Sequence, residues 1–242
     1  MLQVSGLGKV FDGRPVLRRV DLTVHATEAV ALVGANGSGK TTTLRSIVGL
    51  TLPDRGVILV DGIDVRRRPR EARRRMSYMP QRPVFPDTLT VREVLTTVAR
   101  LRGLGQRRVD EELAACGLEA IAGHRVAELS GGERQRVALA STLLPNVKLF
   151  LFDEPSASLD AAATDLLCGR VKALRADGCA VLFTTHVAHD LDALATRVER
   201  IDEGWCMARP TVRSDEVALA DDDRRAPVDP VRDRLCRPFA RA

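Results

Sequence analysis

Aromatic residues are scarce: one Trp, one Tyr and six Phe make up 3% of the 242 residues. Bases of a single strand stack on exposed rings, so a nucleic-acid groove has little to be built from here. Paired cysteines are missing too. Cys116, Cys168, Cys179, Cys206 and Cys236 form no C-x-x-C pair and are odd in number, which argues against a zinc module or a disulfide framework. No apolar run reaches the roughly 18 residues of a membrane-crossing helix. The start, Met1-Leu2-Gln3-Val4, lacks the basic and apolar stretches of a secretory signal. The chain is therefore expected in the cytoplasm, with any membrane association coming through a partner.

Lysine is nearly absent. Of 37 basic residues only Lys9, Lys40, Lys148 and Lys172 are Lys, and the formal net charge is +5. The densest run, Arg66-Arg67-Arg68-Pro69-Arg70-Glu71-Ala72-Arg73-Arg74-Arg75, has no interleaved aromatic, so no nucleic acid is expected. A solvated face before a strand is the favoured reading, and a surface for anionic lipid headgroups stays open. What is present is ordinary for a globular chain: 45% hydrophobic and 29% charged residues, and a length suited to one or two domains.

Residues 2–33 alternate apolar and polar positions and read as half-buried strands. Val30-Ala31-Leu32-Val33 enters a glycine-rich loop, and Thr41 to Gly49 reads as a helix that Gly49 stops. Val57 to Val60 reads as a strand ending in an Asp61-Gly62 turn. From Asp87 to Leu144 the pattern is helical. Thr90 and Glu93 form a capping box, a second helix covers about Val109 to Cys116, and a third runs from Ser130 to Leu144 before Pro145. Leu149-Phe150-Leu151-Phe152 and Ala180-Val181-Leu182-Phe183 are continuous apolar runs, as in strands buried on both faces of a parallel sheet, with helix from about Ala161 to Ala176 between them. The class is α/β, with a helical insertion at about 87–144. Residues 210–242 hold seven Arg, seven acidic residues and four Pro, and read as a flexible tail.

Three motifs carry chemistry. Gly34-Ala35-Asn36-Gly37-Ser38-Gly39-Lys40-Thr41 follows an apolar strand and opens a helix. Its glycines let backbone N–H groups turn toward phosphate oxygens, Lys40 can reach the β- and γ-phosphates, and Thr41 can ligate magnesium. Leu149 to Pro155 delivers Asp153 and Glu154 to a strand's C-terminal end, where open α/β sheets bind ligands. Asp153 suits magnesium, and Glu154 suits polarising an attacking water. In Leu129-Ser130-Gly131-Gly132-Glu133-Arg134-Gln135-Arg136, a capping box explains Ser130 and Glu133. It does not explain Gly131 and Gly132, which leave a helix N-terminus bare for an anion.

In this order and spacing the three motifs resemble the ATP-binding-cassette family over about residues 2–208. The likeness is greatest to bacterial export-type transporter ATPases. The resemblance implies a P-loop NTPase core with a mostly parallel sheet, an N-terminal antiparallel β-subdomain and a helical signature subdomain. Residues 1–209 would form the nucleotide-binding domain. It implies ATP and Mg2+ as ligands and an active ATPase that works as a homodimer or heterodimer. A separate transmembrane permease would hold it on the inner face of the cell membrane. Residue by residue, Phe11 resembles the aromatic that stacks on adenine. The stretch Gly34 to Thr42 resembles the phosphate loop, with Thr42 beside Thr41. Gln81 resembles the glutamine that senses magnesium and the attacking water. Ser130, Gly131, Gly132 and Glu133 resemble the signature that meets the other subunit's ATP. Asp160 resembles the aspartate that crosses the dimer interface, and His186 the histidine at the γ-phosphate. The departures are Glu133 where Gln is commonest, Ser158 for a usual Gly, and Phe for the commoner Tyr at position 11.

Two rivals share the phosphate loop. The first is a soluble ATP-gated clamp acting on nucleic acid or ribosomes. Chromosome and repair clamps insert a long coiled coil between loop and signature, but that interval has only about ninety residues here and no sustained heptads. Translation-factor relatives normally carry two cassettes in one chain, where one set of motifs stands here. A small-molecule kinase would leave Leu129 to Arg136 and His186 unexplained. Cargo choice would lie in the permease.

Overall fold

Two Asp-Gly turns shape the first sheet. In the computed structural model, which describes residues 1–157, 159 and 161–207, β1 (Leu2–Phe11) turns through Asp12 and Gly13 into β2 (Arg14–Val24). Both turn residues have positive φ, at 47° and 75°, the combination a two-residue hairpin with right-handed twist requires. After β3 (Ala29–Val33) and α1 (Lys40–Ile47), β4 (Arg55–Val60) and β5 (Ile63–Asp64) repeat the device at Asp61 and Gly62.

The chain continues through α2 (Pro69–Arg74), β6 (Met76–Met79), α3 (Val91–Leu101), α4 (Gln106–Ala115) and α5 (Gly131–Leu143). It ends with β7 (Leu149–Asp153), α6 (Ala161–Ala176), β8 (Ala180–Thr184), α7 (Ala188–Leu194), β9 (Arg197–Arg200) and β10 (Trp205–Cys206). Ser158, Asp160 and the expected tail 210–242 lie outside the described residues.

One sheet has the order β10-β2-β1-β4-β5 and is antiparallel except where β10 joins β2. The other, β6-β7-β8-β3-β9, is parallel throughout. Every residue of β7 and β8 is buried, because alternate side chains enter different cores. Leu149 and Leu151 face the core shared with the first sheet and α1. Phe150 and Phe152 face the core under α5, α6 and α7. The order puts β8 between the strand that precedes the glycine-rich loop and the strand that ends in Asp153.

Helices α3, α4 and α5 surround a third core. Capping boxes at Thr90 and Ser130 start α3 and α5. Helix α4 begins at Gln106, three residues before the sequence pattern suggests, behind Gly105, which provides no side-chain cap. Helix α5 is buried on two sides: Ala138, Leu139 and Leu143 enter the sheet's core, while Val137, Ala140 and Leu144 enter the helical one. Helix α2 is the element the arginine run conceals. Pro69 sits in its first turn, where proline is tolerated, and Ala72 is its one buried residue.

A fully buried carboxylate fastens the helical block to the rest. Glu112 on α4 accepts from Arg108 at 2.6 Å and from Arg170 on α6 at 2.8 and 2.9 Å. Arg108 also donates to Leu143 O at the end of α5. Glu112→Ala would leave Arg170 without this acid and Arg108 with only the longer Glu111 contact at 3.9 Å. Both arginines keep some solvent contact, so the loss should fall near the low end of a broken buried pair, about 2–4 kcal/mol. Denaturant unfolding of the variant should show a lowered midpoint, and an unchanged midpoint would remove Glu112 as the fastening.

Candidate active site

Gly39, with φ +110°, is the N-cap of α1 and offers no side-chain acceptor. A Cβ there would lie 2.5 Å from Leu17 Cδ2 and 3.2 Å from Val16 O, so only glycine fits between β2 and the helix start. The first-turn N–H groups of α1 are left for an anion. Lys40 is buried, and its ammonium donates to Gly34 O at 2.7 Å and Ala35 O at 3.1 Å. Ser38 Oγ is buried without a hydrogen-bond partner. A loop of free donors around a lysine and an orphaned hydroxyl fits a polyphosphate.

Asp153 ends β7 with 1% exposure. Its Oδ1 accepts from Thr41 Oγ1 at 3.1 Å and Thr184 Oγ1 at 2.8 Å, and its Oδ2 faces Tyr78 OH at 3.4 Å. Burial, with Asp153 beside it, pushes the Tyr78 phenol well above its ordinary pKa despite the opposing pull of Arg45. Tyr78 therefore stays a donor. Glu154 has φ +50°, a left-handed conformation uncommon for a side-chain-bearing residue. Its N–H is shared between Thr184 O at 3.2 Å and Thr184 Oγ1 at 2.9 Å. That twist carries the carboxylate to Gln81 Nε2 at 2.6 Å and His186 Nδ1 at 3.5 Å.

These groups meet in one cleft of about 660 Å³. Asn36, Gly37, Gly39, Lys40, Thr41 and Thr42 line it from the loop side; Gln81, Glu154 and His186 face them. Val16 contributes the apolar contact from β2, and Phe11 is not among the lining residues. Phe11 instead lies 43% exposed at the end of β1, with the Lys9 ammonium 5.1 Å from its ring centroid.

The sequence pattern of the family described as "ABC transporter" matches residues 17–157. The chain belongs to the ABC transporter family. It is 34% identical over 211 residues to the Nod factor export ATP-binding protein I of Rhizobium sp. strain N33, covering 86% of this chain and 69% of that protein. The protein of the same name from Burkholderia lata is 38% identical over 200 residues, covering 81% of this chain and 66% of its own length. The chain thus spans about two thirds of the length of these relatives. Among solved structures, an ATP-binding subunit of an ABC transporter has a TM-score of 0.82 at 31% identity, covering 88% of this chain and 90% of that one. A dimeric cassette in a post-hydrolysis state with ADP and phosphate has a TM-score of 0.80 at 27% identity, covering 88% and 99%. The α/β P-loop NTPase fold and the ATPase class both follow.

The segment that resembles the family's signature lies apart from its own chain's cleft. Ser130, Gly131, Gly132 and Glu133 open α5, and none lines the space around Lys40. Ser130 Oγ donates to Glu133 Oε2 at 2.7 Å and accepts from Glu133 N at 3.3 Å. Those bonds from Ser130 hold the Glu133 carboxyl below its ordinary pKa.

Four residues of this cassette escape a reading by motif. Tyr78 and Thr184 hold Asp153 from β6 and β8. Gln135, buried on α5, donates to Pro155 O at 3.2 Å and links the signature helix to the segment after Glu154. Asp190, also buried, accepts from Thr185 Oγ1 at 2.6 Å and from Ser156 Oγ, tying that segment to the strand end before His186. The only signal in sequence is a pair of hydroxyls, Thr184 and Thr185, closing an apolar run. Thr184→Val deletes the hydroxyl's bonds to Asp153 and to the Glu154 N–H at constant shape and leaves that N–H its bond to the carbonyl of residue 184. At about 1.5–3 kcal/mol for a hydrogen bond to a charged group, ATP turnover should fall roughly ten- to a hundredfold. Steady-state phosphate release measures this, and an unchanged kcat would show that Asp153 and Glu154 hold their places without Thr184.

Proposed function

We propose that the chain is the ATP-hydrolysing subunit of an export-type ABC transporter, closing on a second cassette around ATP to drive a separate membrane permease. The observation that carries this is the single cleft in which Lys40, Thr41, Gln81, Glu154 and His186 meet while the signature stays outside it. One chain holds both halves of a site but does not join them, so two copies, or this chain and a related cassette, would complete each other. The dimeric neighbour and the export proteins among the relatives support the same reading.

Backbone N–H groups at the start of α1 and the Lys40 ammonium would hold the phosphates, with Lys40 exchanging its loop carbonyls for phosphate oxygens. Thr41 Oγ1 and Asp153 Oδ1, 3.1 Å apart, with Gln81 nearby, supply hard oxygen donors of the kind magnesium takes. Magnesium bound there would neutralise phosphate charge. Glu154 would take a proton from water as the water oxygen attacks the γ-phosphorus, and the bond to the bridging oxygen would break to release ADP. Gln81 and His186, both against the Glu154 carboxylate, would fix its direction. Phe11, at the edge of the first sheet, would reach adenine by movement of the hairpin, and Asp160 would act across the dimer. Val84, at 89% exposure the most exposed large apolar side chain described, lies within the Gln81 to Val94 surface that would meet the permease.

Glu154→Gln should keep ATP binding and accumulate a closed dimer on size exclusion while turnover falls roughly 100-fold or more. Turnover equal to that of the parent chain would reject Glu154 as the base. Lys40→Ala should weaken ATP binding in a titration, and an unaltered affinity would sink the loop assignment.

A further inference from the structure

We propose that the arginine strip from Arg66 to Arg75 is a docking surface for the anionic headgroups of a lipid membrane. It rests on the reading that the cassette works beside a membrane subunit. The strip covers the turn after β5, all of α2 and the approach to β6, and each of its seven arginines is exposed. Asp64 engages Arg67 at 3.7 Å and Glu71 engages Arg68 at 3.1 Å. Among the described residues, no ion pair engages Arg66, Arg70, Arg73, Arg74 or Arg75. Seven arginines against Asp64 and Glu71 leave an excess of five positive charges, equal to the formal net charge of +5 for the whole chain. The formal charges of the rest of the chain sum to zero.

The chemistry of the strip selects its partner. It has no aromatic residue on which bases could stack. None of the exposed large hydrophobic side chains lies in it, so a protein partner would find no apolar anchor at its centre. What remains is a row of guanidinium forks, which pair with phosphate oxygens in two-bond geometry. Beside the row, Arg74, Arg75, Lys148 and Asn146 line a cleft of about 360 Å³ with Asp61 and Glu71 also on its wall, which gives room for a headgroup. A diffuse, fluid layer of phosphates matches a strip that is strong in charge and without an apolar anchor.

The position is compatible with catalysis. Arg75 and Lys148 precede the first residues of β6 and β7, whereas Gln81 and Asp153 lie at the other ends. At about 3.3 Å per residue, roughly 15 Å of sheet separates the strip from the cleft. Arg102, capping α3, donates to Arg73 O at 3.1 Å and Met76 O at 3.0 Å. It thereby locks the strip to the helix whose other end enters the permease-facing surface.

The test is co-sedimentation of the full chain with vesicles of phosphatidylcholine alone and of phosphatidylcholine mixed with phosphatidylglycerol. The parent should bind only the mixed vesicles and be released by salt. Replacing Arg66, Arg70, Arg74 and Arg75 together by Gln should lower binding at least tenfold, since each basic residue near a charged surface contributes roughly fivefold. Replacing the exposed Arg18, Arg19, Arg100 and Arg107 by Gln makes the same change in net charge and should lower it far less. Equal losses in the two variants, or no loss in the first, overturns the proposal. So does capture of the parent by duplex DNA as strong as by the mixed vesicles at equal salt. ATP turnover and the thermal melt of the strip variant should match the parent, because none of its residues lines the cleft around Lys40. A parent that binds vesicles but does not hydrolyse ATP would instead count against the proposed function, and one that hydrolyses ATP but ignores vesicles against the lipid surface alone.

Discussion

A carboxylate with almost no access to water has to find its donors inside the protein, and Asp153 is the point on which the site's construction turns. Its partners come from separate elements: Thr41 from α1, Thr184 from β8 and Tyr78 from β6. A parallel sheet in which β8 separates β3 from β7 brings these together. It delivers the phosphate-loop helix and the end of β7 to the same edge with one strand between them to supply a hydroxyl. Thr184 then serves both carboxylates. Its side chain satisfies Asp153, while its carbonyl and hydroxyl oxygens hold the N–H of Glu154 in a backbone conformation that such a residue seldom adopts. The strain at Glu154 therefore follows from how Asp153 is buried, and it aims the second carboxylate at the cleft.

Helix α5 extends this constraint to the helical block. Because it is buried against both the sheet's core and the helical core, it cannot tilt without disturbing one of them. Gln135 joins it to Pro155, the residue after Glu154, and Glu112 with its two arginines joins α4 to α6 and to the end of α5. The segment after Glu154 and the position of α5 are thus connected through hydrogen bonds on both sides of α5. Asp190 adds a third connection, from Ser156 to the strand end before His186.

Local signals in the sequence were sufficient where one element decides the structure. The buried strands β7 and β8 are continuous apolar runs, the span of α6 lies between them, and the two capping boxes pair side chains three residues apart. Helix α2 was hidden because its apolar face is a single alanine within a charged run. Glu112 was hidden because an acid in an amphipathic helix reads as solvent-facing, and its second arginine lies 58 residues away. The loop, Asp153, Glu154, Gln81 and His186 could be picked out as residues through their motifs. That Gln81 and His186 both touch Glu154 could not, since the contacts depend on strand order and on a positive φ. The adenine role of Phe11 came from resemblance alone, and the geometry leaves Val16, not Phe11, on the cleft.

The two glycine-opened helices are not equivalent as anion sites. Helix α1 begins at a left-handed glycine with no side-chain cap, so its first N–H groups have no competing acceptor, and Lys40 lies among them. Helix α5 begins with a closed capping box: Ser130 already accepts from Glu133 N, and the Glu133 carboxylate, kept ionised by its hydrogen bonds, is held against the Ser130 hydroxyl. A phosphate approaching α5 meets a favourable helix dipole and an unfavourable local charge at the same place. Such an end is a poor site for a free anion. The two helix starts therefore differ in kind: α1 presents open N–H groups beside Lys40, and α5 presents an end already closed by Ser130 and Glu133.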